Sequence, residues 1–119
     1  TKILITPYSM LPRKMMKALA SIKIIDYGIK IEENILDSEQ NHCTIPYPLA
    51  FAYALAAIRR TTIKELVLTG FDGYPNGDSR NKEIEEILHL FNKTSPGFKY
   101  YSITETSYRT LRSKSVYGL

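Results

Sequence analysis

The chain opens on a short β-branched run, Lys2 to Thr6 (KILIT), closed by Pro7. This pattern predicts a buried strand that ends in a turn. Leu11, Met15, Leu19 and Ile22 then recur at helical spacing, with Met16 and Ala20 widening the stripe and Arg13, Lys14 and Lys17 on the other side. Pro12 suits the first turn of that helix, where its missing N–H costs nothing. Ile22 to Ile29 (IKIIDYGI) predicts a second strand, with Gly28 as its bulge or its end.

Residues 31 to 44 (IEENILDSEQNHCT) are polar and weakly patterned, and predict a long loop with a short strand at Asn34–Asp37. Pro46 and Pro48 pre-set a helix start, and Leu49 to Ile58 follows without a polar residue other than Tyr53. Such a helix is buried or membrane-bound, and this one is too short to span a bilayer, so it is expected at the centre of the fold. Its alanines (Ala50, Ala52, Ala54, Ala56 and Ala57) allow close approach to a sheet. Lys64 to Thr69 (KELVLT) predicts a third strand, whose unbroken LVL suits burial on both faces. After the loop FDGYPNGDSR, Asp78 or Ser79 is expected to cap a helix. Ile84, Ile87, Leu88 and Phe91 form its apolar stripe, Glu83, Glu85 and Glu86 its wet face, and Pro96-Gly97 its stop. Phe98 to Thr104 (FKYYSIT) predicts a fourth strand, and residues 107–119 a basic tail draped over the domain.

Strands alternating with helices imply βαβ units. The expected fold is α/β: a Rossmann-like three-layer sandwich with a mostly parallel sheet of about four to five strands and helices on both faces. A chain of 119 residues suits a single α/β domain spanning 1–119 with one core. It enters a strand directly at Thr1, which reads as a domain excised from a longer multidomain protein.

Charge and cysteine content narrow the partners. Sixteen Lys and Arg against twelve Asp and Glu give +4, and the excess is scattered along the chain. Nucleic-acid binders concentrate such charge with interleaved aromatics, so no nucleic-acid partner is expected. Cys43 is the single cysteine, which excludes an internal disulfide and a zinc cluster. No apolar run is long enough to cross a membrane and no signal-peptide pattern is present, so no membrane partner and a cytoplasmic location are expected.

In open parallel α/β sheets, ligands bind beyond the carboxyl ends of the strands. The candidate ligand-binding residues are therefore Tyr8, Ser9, Gly70, Asp72, Gly73, Tyr74, Thr104 and Thr106. Gly70 and Gly73 permit positive φ or close approach of a ligand to the backbone. Asp72 between them either accepts hydrogen bonds from a ribose or sugar hydroxyl or merely caps a turn. GFDGYPNG is neither a dinucleotide fingerprint nor a P-loop. The helix that starts near Pro48 could attract an anion through its free N–H groups. His42 is the one candidate general base, since imidazole titrates near neutrality; the alternative is a plain loop histidine. Cys43 beside it would point to the opposite side of a strand and reads as a small buried hydrophobe. His, Cys, Asp and Glu show no metal-ligand spacing, so neither a metal nor another cofactor is expected.

The stretch IPYPLAFAYALAAIRR followed by IKELVLTGFDGY, residues 45–60 and 63–74, resembles a small α/β domain of bacterial surface-carbohydrate enzymes. That domain lies at the C-terminus of aldolase-like proteins of the 4-hydroxy-2-oxovalerate aldolase type and of acylneuraminate-cytidylyltransferase-like proteins. The ending Ser102-Ile103-Thr104-Glu105-Thr106-Ser107-Tyr108, with Ser115-Val116-Tyr117 behind it, suits the same domain. Leu66, Leu68, Gly70 and Asp72 also resemble a strand pattern in the nucleotide-binding half of bacterial sialyltransferases. The first resemblance implies an accessory, non-catalytic domain in surface-glycan or sialic-acid-type biosynthesis. It would bind a nucleotide or nucleotide-sugar, a sugar ligand or a partner domain, while an upstream catalytic domain acts as a lyase or nucleotidyltransferase; a homo-oligomer stays open. The second implies a minimal glycosyltransferase-like enzyme using a CMP-activated sugar, with Asp72 positioning the donor and His42 as base.

Overall fold

Parallel pairing of four-residue strands is the recurring device of this chain. The computed structural model describes residues 2–118, and the chain falls into two units, Thr1–Arg60 and Thr61–Leu119. In the first unit, strand β1 (Ile3–Thr6) runs into a 3-10 turn at Tyr8–Met10 and helix α1 (Arg13–Ala18), then returns as β2 (Lys23–Asp26). β1 and β2 pair in parallel, with Ile5 opposite Ile25. Leu4, Thr6 and Ile24 alternate with Ile3, Ile5 and Ile25, and the second set is exposed.

The stretch expected to be one strand from Ile22 to Ile29 breaks at Tyr27. Its second half, β3 (Gly28–Ile31), leaves β1 and pairs in parallel with β5 (His42–Ile45). Tyr27 turns its ring inward at the break, and its hydroxyl donates to the Glu39 carbonyl at 2.8 Å. Gly28 faces His42 across the ladder, and a Cβ at Gly28 would lie 3.1 Å from the His42 Cβ, so a glycine keeps this approach open. β4 (Asp37–Ser38) adds to the other edge of β5, antiparallel. β5 is thus the central strand of a mixed sheet, which buries Cys43, Thr44 and Ile45 in succession. Helix α2 (Ala50–Ile58) covers it through Ala52, Leu55 and Ala56. The Ser38 hydroxyl donates to the Ala56 carbonyl at 2.7 Å, and the Tyr53 hydroxyl to the Tyr27 carbonyl at 2.7 Å.

In the second unit, β6 (Glu65–Leu68) and β7 (Lys99–Ser102) pair in parallel around the long helix α3 (Ser79–Thr94). Asp78 caps α3, accepting from the Arg80 N–H at 2.9 Å. Ile84, Ile87, Leu88 and Phe91 are its buried stripe, as the spacing predicted. Phe91 meets Phe98 and Tyr100 edge-on, at centroid distances of 5.1 and 5.8 Å. The tail is stitched in place. Tyr108 and Leu111 are buried, Ser102 exchanges backbone bonds with Arg112 and Lys114, and Glu85 accepts from the Arg109 N–H and the Thr110 hydroxyl.

The expected three-layer Rossmann-like sandwich is corrected by this topology: the sheets have two, three and two strands, and the middle one is mixed. The physical reason lies in residues 27–45. The backbone switches partners at Tyr27, and the polar segment read as loop supplies β5, so no single parallel sheet accumulates. β6 differs too, since Val67 is 41% exposed and the strand is open on one face. Among the described residues no helix is long and apolar enough to cross a membrane.

Candidate functional site

The second unit gathers six of the eight candidate ligand residues on the two loops that leave β6 and β7. Gly70, directly beyond β6, has φ of 75° and donates its N–H to the Thr104 hydroxyl at 3.0 Å. Thr104 is placed in turn by Ser102, whose side chain is fully buried at the end of β7 and donates to the Thr104 carbonyl at 2.8 Å. These hydroxyls tie the strand ends together alongside the Ile103 N–H, which donates to the Leu68 carbonyl at 3.0 Å.

Farther along the same loops, the Ser107 N–H donates to the Asp72 carbonyl at 2.9 Å. Gly73 has φ of 108° and lies so close to Ser107 that any Cβ there would collide with the Ser107 hydroxyl. This position demands glycine twice, once for its backbone angle and once for space. Tyr74 is fixed by Asn81, whose side-chain oxygen accepts the Tyr74 N–H at 2.8 Å while its amide donates to the Tyr74 carbonyl at 3.0 Å. Thr106 accepts the Tyr108 N–H at 3.2 Å.

These bonds have a chemical consequence. The N–H groups of Gly70, Tyr74 and Ser107 are all engaged, by the loops and by Asn81 of α3, so these three are not free to cradle a phosphate. The Asp72 carboxylate, by contrast, is exposed and makes no hydrogen bond or ion pair among the described residues. It stands on a braced loop as an acceptor without a donor.

Beside it, a short stack is built at the start of α3. The Arg80 guanidinium lies 3.9 Å from the Tyr74 ring centroid and is held by Asp78 through bonds of 3.0 and 2.7 Å. Bonding to Arg80 lowers the Asp78 carboxyl to about 2, and raises the guanidinium in return. Tyr108, buried behind, has its phenol pushed up by burial first and by the nearby Tyr74, Glu85 and Asp78. Sequence reasoning found Tyr74 but missed Arg80, Asn81 and Ser107. The available signal was Asn81, three residues after the cap, where the first helical turn can reach back to the loop before it.

Tyr8, Ser9 and His42 belong to the first unit. Tyr8 and Ser9 form part of the 3-10 turn after β1, and the Ser9 N–H donates to the Asp26 carboxylate at 3.3 Å. His42 begins β5 as an exposed residue, and its imidazole makes no hydrogen bond or ion pair among the described residues, so no third group fixes its tautomer. Cys43 points the other way, into the core, where burial pushes its thiol up. α2 starts at Ala50 with Leu49 at the N-cap and no side-chain cap. Among the described residues no three His, Cys, Asp or Glu side chains are grouped to hold a metal ion. No protein-family model, curated protein or solved structure matches this chain.

Proposed function

We propose that this chain is an accessory, non-catalytic α/β module of a bacterial surface-glycan or sialic-acid-type biosynthetic enzyme, and that it takes a nucleotide or nucleotide-sugar at the strand ends of its second unit. The observation that carries the reading is the exposed Asp72 carboxylate, unpaired among the described residues, on a loop whose Gly70 and Tyr74 N–H groups are engaged. Such a site accepts hydrogen bonds and donates few, which favours a hydroxyl-rich ligand over a bare phosphate. A ribose diol or a sugar ring offers the matching donors. The braced loops support affinity, since little ordering remains for a ligand to impose.

The test is an amide NMR titration of the protein with CMP and with a CMP-sugar. Saturable shifts are expected on residues 70–74 and 104–107, weakened about tenfold by Asp72→Asn, which keeps the side-chain shape and removes the charge-assisted acceptor. Absence of shifts in that segment at millimolar ligand would overturn the reading.

A further inference from the structure

Tyr74 keeps 41% of its surface exposed although one face of its ring is covered by Arg80. Three contacts make this ring rigid. Asn81 holds its backbone on both sides, Arg80 backs the ring, and Asp78 locks Arg80 with two side-chain bonds. Arg80 is the ring's one stacking partner among the described residues. We infer that the face of Tyr74 opposite Arg80 is a stacking platform for the heteroaromatic base of a nucleoside, with the base lying on Tyr74 and the ribose hydroxyls reaching Asp72.

This inference rests on the nucleotide reading of the same loops and specifies which end of the ligand is gripped. Asp78, Arg80 and Tyr74 follow one another in a column of planar groups, and Tyr74 at its end is 41% exposed. A guanidinium under the ring already engages its negative π-face. A second cation, or the polarised C–H groups of a sugar ring, would therefore gain less on the opposite side than on an unbacked tyrosine. A neutral base stacks through dispersion and offset dipoles, and loses little to the cation behind the ring. The N–H groups of Gly70, Tyr74 and Ser107 are already engaged, so a phosphate gains no donor from them. The site accordingly holds the nucleoside and lets the phosphate side project outward.

The experiment uses the full chain with cytidine, CMP and ribose as probes, read on the ring protons of Tyr74 and on backbone amides. Cytidine and CMP are expected to bind within about threefold of each other, with upfield ring-current shifts at Tyr74, and ribose at least tenfold more weakly. Tyr74→Leu should weaken cytidine tenfold or more, as loss of one base stack does, while Tyr74→Phe retains binding. The amide spectrum of each variant checks folding, which Asn81 secures through the Tyr74 backbone rather than its ring. Wild-type affinity in Tyr74→Leu, with Asp72→Asn still impaired, would overturn the stacking platform and leave the nucleotide reading standing. CMP binding tightly where cytidine fails would overturn it too, since the phosphate would then be the gripped end. No shift at residues 70–74 with any probe would overturn both.

Discussion

The pairs β1–β2 and β6–β7 have the same strand length and the same parallel pairing, yet they end with different burial. In β1–β2 no residue is fully buried, and Ile3, Ile5 and Ile25 are 54%, 42% and 46% exposed. In β6–β7, Leu68, Tyr101 and Ser102 are buried. The strands themselves do not explain this, since β1 is the more apolar of the first members. The connections do. α1 has six residues and none of them buried, whereas α3 has sixteen and contributes four buried apolar side chains. The tail adds a second cover: it bridges β7 at Ser113, and Lys114 lies 4.4 Å from the Tyr101 ring centroid. A parallel pair is buried only as far as its crossover and its neighbours reach.

The same contrast separates the loops that follow each pair. Beyond β1, the Ser9 N–H has a long exposed bond to Asp26. Beyond β6 and β7, a buried serine hydroxyl, two positive-φ glycines and an asparagine hold the chain at every second or third residue. The candidate site therefore lies where the backbone is already determined by its own packing.

The most severe break of this contrast is Phe91→Ala, which removes the ring that joins α3 to Phe98 and Tyr100. A loss of about 3–5 kcal/mol is expected by urea denaturation. A loss under about 1 kcal/mol would mean that α3 does not organise its strand pair. A smaller, pH-limited effect belongs to the cap. The Asp78 carboxyl titrates in the folded chain at about 2, down from 3.8, chiefly because Arg80 bonds to it. A depressed carboxylate stabilises the fold above its unfolded value and loses that contribution as pH falls through its folded one. The stability gap between wild type and Asp78→Asn should hold steady near neutrality, narrow below about pH 4 and close near pH 2. A gap unchanged down to that limit would show that the charge contributes nothing. The smallest effect is expected on the open face of β1, where Ile5→Thr keeps the β-branch and should shift stability by less than about 0.5 kcal/mol. A cost above about 2 kcal/mol there would reveal that the face is covered in solution, by a second copy or another surface.

Much of this was legible in the residues. The stripe Ile84, Ile87, Leu88 and Phe91 marked α3, Asp78 or Ser79 its start, and the runs Lys2 to Thr6, Lys64 to Thr69 and Phe98 to Thr104 the strands β1, β6 and β7. Those signals are local, since helical spacing, capping and β-branching act within a few residues. β5 was illegible for the opposite reason. His42-Cys43-Thr44-Ile45 lacks the unbroken apolar run that marks β1 and β6, and it becomes a strand because β3 and β4 flank it and α2 covers it. The loss of a single parallel sheet follows from the same nonlocal event at Tyr27, where one apolar run serves two different partners.

The candidate site divides along the same line. Glycines at 70 and 73, with an aspartate between them, marked a strand end from the sequence alone, because positive φ and close approach are requirements of the residue itself. Which groups remained free was decided by the tertiary structure. Thr104, Asn81 and Asp72's own carbonyl engage the N–H groups of Gly70, Tyr74 and Ser107, Arg80 takes one face of Tyr74, and the Asp72 carboxylate has no partner among the described residues. A sequence carries the inventory of donors, acceptors and rings. The satisfaction of each depends on partners some six to thirty-five residues away in the chain, which only the folded backbone brings within reach.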